Sequence, residues 1–171
     1  MSGYIVIDCE TTGLFRHHNI GPNGEKVTAR SDEPGQPRMA EYAHVLLDDG
    51  FNVEAEYSQY VTPVGWQNED GSPMFEMPQG AYDVHGITMD FLRSNGEEVW
   101  RALDRYEAAI RAGRILIGYN QQHDGRQIRA ELRHAGRDDM FEQTPNICAM
   151  RSITSNYKGP VKKLDGKGGC P

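Results

Sequence analysis

The feature that most constrains this chain is a short apolar run that ends in acid. Tyr4 to Ile7 are apolar and mostly β-branched, and Asp8-Cys9-Glu10-Thr11-Thr12-Gly13 follows directly. Such a run predicts a buried strand. Side chains alternate along a strand, so Asp8 and Glu10 leave on one side and Cys9 on the other. Two carboxylates side by side repel unless a cation sits between them. Hard ions such as Mg²⁺ or Mn²⁺ take oxygen donors of this kind. A lone D-x-E pair is also what an ordinary acidic strand end looks like. The full DxETTG string after an apolar strand is far more restrictive.

A second acidic stretch opens a helix. Gly118-Tyr119-Asn120-Gln121-Gln122-His123-Asp124 precedes residues with helical periodicity. Asn120 reads as the N-cap. Asp124 shares a stripe with Ile128 and Leu132 and so points toward the protein. An inward carboxylate needs a partner, and a metal ion is one solution. A helix-start aspartate favoured by the helix dipole is the other reading.

The rest of the chain supplies an α/β frame. Ala40 to Leu47 and Phe51 to Val61 read as antiparallel strands joined at Asp49-Gly50. Glu97 to Ala112 reads as a helix with Val99, Leu103, Tyr106 and Ile110 inward, closed by Gly113. Arg114 to Gly118 is a fourth strand, and Gln121 to Ala135 a second helix. Phe15 to Arg38 is rich in Gly, Pro, Asn, Ser and charge and reads as a loop insertion. Thr62 to Gly80 is a further polar stretch, and Ser155 to Pro171 reads as loop. Strands in a meander followed by helix, strand and helix predict a mixed sheet flanked by helices.

Composition narrows the function. The 171 residues suit one compact domain, and the formal net charge is −7. A purely electrostatic nucleic-acid binder should be basic; a carboxylate cluster that binds cations is acidic before they arrive. Cys9, Cys148 and Cys170 form no C-x-x-C pair and read as reduced thiols of a cytoplasmic protein. The N-terminus lacks a signal-peptide pattern, and no apolar run reaches membrane-spanning length.

The two acidic motifs resemble the first and second exonuclease motifs of the DEDD superfamily, on the DEDDh branch of the polymerase III proofreading subunit. Asp83-Val84-His85-Gly86-Ile87-Thr88 resembles that branch's H-G-I linker segment, and the three signals occur in the family's order. The resemblance implies a ribonuclease-H-like mixed β-sheet flanked by helices. It also implies two-metal hydrolysis of phosphodiester bonds, with Mg²⁺ or Mn²⁺, from the 3′ ends of single-stranded DNA or RNA. Asp8, Glu10 and Asp124 would be metal ligands and catalytic. Thr11, Thr12, Leu14, His85, Ile87 and Asn120 would meet the substrate or brace the site, with backbone N–H groups of the turn at Thr11 to Gly13 holding the nucleotide end. A polymerase or another replication or repair protein is an implied partner.

Two departures stand out. His123 occupies a position that is usually aromatic in the family, and it reads either as a packed flat ring or as a weak ligand. A fourth carboxylate and a general-base histidine, spaced H-x-x-x-x-D on a late helix, are not found. His134 to Asp139 has that spacing but follows Asp124 too closely, and Gly136 interrupts the helix. Asp165 has no matching histidine, and His17 and His18 lie in the insertion. The expectation is a single exonuclease domain incomplete at its C-terminus. A catalytically inactive module that binds nucleic-acid ends or a polymerase is the alternative. The arginines between Arg101 and Arg137 read mainly as a solvated face balanced by acids, with phosphate contact as the other use. Trp66 and Trp100 read as packing residues ahead of base stacking.

Overall fold

The computed structural model describes residues 3–140 and 143–156. In chain order the elements are β1 (Tyr4–Thr11), β2 (His18–Ile20), β3 (Lys26–Thr28), β4 (Met39–Leu47), β5 (Val53–Tyr60), α1 (Gln79–His85), α2 (Met89–Asn95), α3 (Val99–Arg111), β6 (Ile115–Gly118), α4 (Gln121–His134), β7 (Asn146–Cys148) and α5 (Ala149–Asn156). β1 lies at the centre of a five-stranded sheet of order β5-β4-β1-β6-β7. It is antiparallel to β4, and β4 to β5, while β1, β6 and β7 run parallel.

The alternation read from the sequence sets the faces of β1. Ile5, Ile7 and Cys9 are buried in the core, Asp8 is exposed, and Glu10 is half-buried. Leu103 and Tyr106 of α3 and Ile128 and Leu132 of α4 join the same core. The helical stripes drive this, because each helix buries one apolar face against the sheet. The mixed α/β sheet is the architecture expected from the residue pattern.

Several local expectations change. β1 is longer than Tyr4 to Ile7, because the acidic end pairs with β4 as far as Thr11. The Asp49-Gly50 turn is a wider loop. Asp48 Oδ1 accepts from the amides of Gly50 and Asn52 at 2.8 Å each, and Phe51 takes φ 63°. Phe51 then stacks on Tyr4 with ring centres 4.6 Å apart instead of starting a strand. The insertion at 15–38 contains the β2–β3 hairpin. It has almost no apolar core and is tied instead by Gln36, which is 1% exposed. The Gln36 amide accepts from the Arg16 amide at 3.0 Å and donates to the Arg16 and Arg30 carbonyls at 2.9 and 2.8 Å. The polar stretch after Thr62 ends in α1, and α2 follows, capped by Thr88 Oγ1 accepting from the Phe91 amide at 3.1 Å. α5 enters the first two residues of the stretch read as loop; residues 157–171, with Asp165 and Cys170, lie outside those described. Among the described residues no helix is long and apolar enough to cross a membrane.

Candidate active site

The acidic end of β1, the first turns of α4 and the α1 segment enclose a cleft of about 670 Å³. Asp8, Glu10, Thr11, Thr12, Leu14, His85, Asn120 and Asp124 all line it. Residues more than a hundred positions apart meet here because β6 is parallel to β1. The β6 chain therefore leaves the sheet at the same end as Asp8 and turns at once into α4.

The charges of the cleft acids act on one another. Asp124 is 5% exposed, and its carboxyl is pushed up to about 6, first by burial and then by the charges of Asp8 and, more weakly, Glu10. Backbone hydrogen bonding at Cys9 and Asp124 opposes this without cancelling it. Glu10 is also raised, by burial and by Asp8, while His85 pulls it down. The Cys9 thiol, directly beneath, is pushed well above its ordinary value by burial and then by Asp124 and Asp8. Among the described residues no three His, Cys, Asp or Glu side chains form a group that could hold a metal ion as they stand. Like charges hold each other apart. The donor chemistry, carboxylate oxygen alone, nevertheless fits a hard divalent cation, whose charge would relieve the repulsion that raises Asp124.

The turn after β1 is built from side-chain clamps. Thr11 Oγ1 donates to the Gly13 carbonyl at 2.8 Å. Thr12 accepts from the Arg38 amide through Oγ1 at 2.9 Å, and its own amide donates to the Arg38 carbonyl at 2.9 Å. The Thr12 amide is thus committed to the fold and not to a ligand. His85 spans linker and strand: its Nδ1 accepts from the Ile87 amide at 2.9 Å, which leaves Nε2–H to donate to the Thr11 carbonyl at 3.2 Å. Ile87 corrects the expectation of a pocket wall. Its side chain is 7% exposed within the core and does not line the cleft; its contribution is the amide that orients His85. Asn120 sits at the N-cap position of α4, but its side chain makes no capping bond; it faces the cleft.

The rim is apolar. Leu14, Val84 and Tyr119 are 86%, 80% and 63% exposed and border the cleft. Val84 lies inside the linker segment and Tyr119 inside the second acidic motif, yet both escape sequence reasoning. An exposed Val or Tyr carries no signal until the fold sets it beside an acid. His123 packs edge-on to Phe15 with ring centres 6.2 Å apart, which supports the packed-ring reading. His17 is drawn away from the cleft toward Arg126 Nη1 at 2.6 Å. Asp139 is paired with Arg129 and Arg133 at 2.5 and 3.3 Å, as expected for a group without a catalytic part.

The arginines are less solvated than their spacing implied. Arg137 bonds Asp104 and buried Glu107, and Arg114 bonds the Leu47 carbonyl and Glu54. Glu131, one of the acids among these arginines, is 1% exposed and holds Arg38 through two hydrogen bonds. Trp66 is buried, and Trp100 is 45% exposed beneath Arg101.

A central strand ending in carboxylates, flanked in the order β5-β4-β1-β6-β7 and faced by an acid on the helix after β6, defines an α/β nuclease fold of ribonuclease-H-like type. Residues 5–165 match the RNase T family model, described as exonuclease, and the chain belongs to that family. Solved structures of Escherichia coli exonuclease I share the fold. The metal-free complex with single-stranded DNA superposes with a TM-score of 0.67 at 18% identity, covering 91% of this chain and 30% of that one. The complex with a dA16 oligonucleotide gives 0.67 at 19% identity, covering 97% and 33%. The exonuclease I/SSB-Ct complex gives 0.66 at 20% identity, covering 98% and 33%. The chain therefore spans about a third of the length of these structures. No curated protein matches it by sequence.

Proposed function

We propose that this chain is a metal-dependent 3′–5′ exonuclease that hydrolyses phosphodiester bonds from the 3′ ends of single-stranded DNA or RNA. The observation that carries the reading is the joint presence of Asp8, Glu10 and Asp124 in one cleft, with Asp124 pushed up to about 6 by burial and its acidic neighbours. These are the residues that would hold two divalent cations, Mg²⁺ or Mn²⁺. Such cations, when bound, supply activation of water and charge stabilisation at the scissile phosphate. The chain's own residues shape the remainder. Leu14, Val84 and Tyr119 offer apolar surface to the terminal bases. Thr11, Thr12 and His85 hold the β1 end rigid so that both carboxylates keep one aspect toward the cleft.

This reading fits the neighbours, since the exonuclease I structures named above include complexes with single-stranded DNA and one with an SSB C-terminal segment. A polymerase or other replication or repair partner, a role in proofreading and a cytoplasmic location rest on the resemblance. The free thiols of Cys9 and Cys148 agree with that location. One observation favours the inactive binding module. Both ring nitrogens of His85 are engaged and His123 is packed on Phe15, so neither cleft histidine stands ready as a general base. Digestion of 3′-labelled and 5′-labelled strands with Mg²⁺ or Mn²⁺ decides between the two. Stepwise loss from the 3′ end, abolished by Asp8→Ala and by Asp124→Ala with the fold intact, is expected. Binding without cleavage selects the inactive module, and undiminished cleavage in either variant defeats the assignment.

A further inference from the structure

Glu41 of β4 stands directly opposite Glu10 of β1 in the sheet. Side chains of directly opposite residues leave on the same face, with Cβ atoms roughly 4.5–5.5 Å apart. Like charges in that relation repel and weaken the pairing. Both glutamates are half-buried, while their strand neighbours Cys9, Ala40 and Tyr42 are buried in the core. Glu41 does not line the cleft. The strand order β5-β4-β1-β6 sets it on one side of Glu10, and β6, which leads into α4 and Asp124, on the other.

Glu41 is held in this place without being neutralised. Ser58, diagonal to it on β5, donates from Oγ to Glu41 Oε1 at 2.8 Å. No Lys, Arg or His among the described residues pairs with Glu41. The hydrogen bond draws the Glu41 carboxylate back toward β5, so its charge acts on Glu10 from the side away from β6. The Glu10 carboxyl is raised first by burial, then by Asp8 and, less, by Glu41, with His85 opposing. Opposed acids at the end of a central strand weaken the empty fold. A divalent cation held by Glu10 offsets that repulsion.

We propose that Glu41 is a positioning residue of the carboxylate cleft. From behind Glu10 its charge turns the Glu10 carboxylate into the cleft and strengthens the hold of Asp8, Glu10 and Asp124 on a divalent cation. The role rests on the nuclease reading of that cleft. Glu41 itself touches neither substrate nor cation, and Ser58 acts through it.

The test measures Mn²⁺ binding by the full chain at pH 8, by calorimetry and by the paramagnetic resonance signal of the free ion, beside thermal scans in EDTA. Glu41→Gln keeps the side-chain size and an acceptor for Ser58. The expected result is roughly tenfold weaker Mn²⁺ binding, the lower end of what outer partners of metal ligands contribute. Its melting temperature in EDTA should equal or exceed that of the wild type, because the opposed charges are gone. Glu41→Asp keeps the charge and should regain much of the affinity, and Ser58→Ala should lose less than Glu41→Gln. Glu56→Gln removes another acid from the same sheet face, opposite Val45, and should bind Mn²⁺ within twofold of the wild type. Binding within twofold of the wild type in Glu41→Gln overturns the role and leaves the nuclease reading standing. So does an equal loss in Glu56→Gln, which would make the effect one of net charge. A Glu41→Gln variant melting well below the wild type in EDTA assigns Glu41 to the fold alone and overturns the role equally. A wild type that binds no Mn²⁺, with Asp124→Asn indistinguishable from it, removes the nuclease reading itself and this role with it.

Discussion

Replacing Glu131 should destabilise the protein severely although it lies outside the cleft. Its carboxylate accepts from Arg38 Nε and Nη2 at 3.0 and 2.8 Å, from the Met39 amide at 3.0 Å and from Gln127 Nε2 at 3.1 Å. The side chains of Arg38 and Glu131 are 12% and 1% exposed, so water cannot take over. Glu131→Leu leaves Arg38 as a nearly buried cation without its partner, a loss of about 3–5 kcal/mol. Against a total of about 5–15 kcal/mol this is a large share. At about 2–4 °C per kcal/mol for a chain of this size, the melting temperature should fall by about 6–20 °C. Urea denaturation measures it, with the midpoint lowered and the slope preserved. The Arg38→Met/Glu131→Leu double variant removes both charges and should recover much of the loss. It stays below wild type because the Met39 amide and Gln127 lose their acceptor, about 1 kcal/mol each. A loss under about 1 kcal/mol in Glu131→Leu, or a double variant no better than the single, would refute the argument.

Asp124 gives a pH-dependent signature. Its carboxyl is raised from 3.8 to about 6, so the folded state binds this proton more tightly than the unfolded state and loses stability as pH rises from 3.8 through 6. In EDTA, Asp124→Asn should therefore raise the melting temperature at pH 8 and have little effect at pH 3.5, as read by thermal scans; the reverse order would contradict the shift. Adding Mg²⁺ or Mn²⁺ should stabilise the wild type at pH 8, and Asp124→Asn far less; equal stabilisation of both would count against Asp124 as a ligand. Two glycines separate space from backbone conformation. A Cβ at Gly96 would lie 2.5 Å from both the Leu92 carbonyl oxygen and the Thr62 nitrogen, whereas at Gly86, with φ +70°, it meets nothing within 4 Å. Gly96→Ala should cost several kcal/mol and Gly86→Ala only about 1, a ranking that denaturant midpoints can check.

The parts of this fold written in repeating patterns were legible, and the parts held by single polar side chains were not. Leu103 and Tyr106 announced α3 by spacing, and Ile5 and Ile7 announced β1 by alternation. The clamp at Gln36, the Arg38–Glu131 bridge and the three-residue strand β7 have no periodicity to read. Asp8, Glu10 and Asp124, which line one cleft, stood out in the sequence because their neighbours form a distinctive string. Ile87 was misplaced for a related reason: the string put it beside His85, but after the left-handed turn at Gly86 its side chain enters the core. Val84 and Tyr119 become rim residues only once β6 and α1 converge on β1.

The two-sided character of β1 has a consequence for how this stretch tolerates change. Inward Ile5, Ile7 and Cys9 and outward Asp8 and Glu10 share one reading frame along a single strand. Inserting or deleting one residue between Ile5 and Asp8 would turn the acids into the apolar interior, against the buried faces of α3 and α4, or expose the isoleucines in their place. Length variation should thus be tolerated in the hairpin of the insertion and excluded from this octet, whatever the substrate proves to be. An experimenter grafting new loops onto this scaffold has freedom at residues 21–25 and none at residues 4–11.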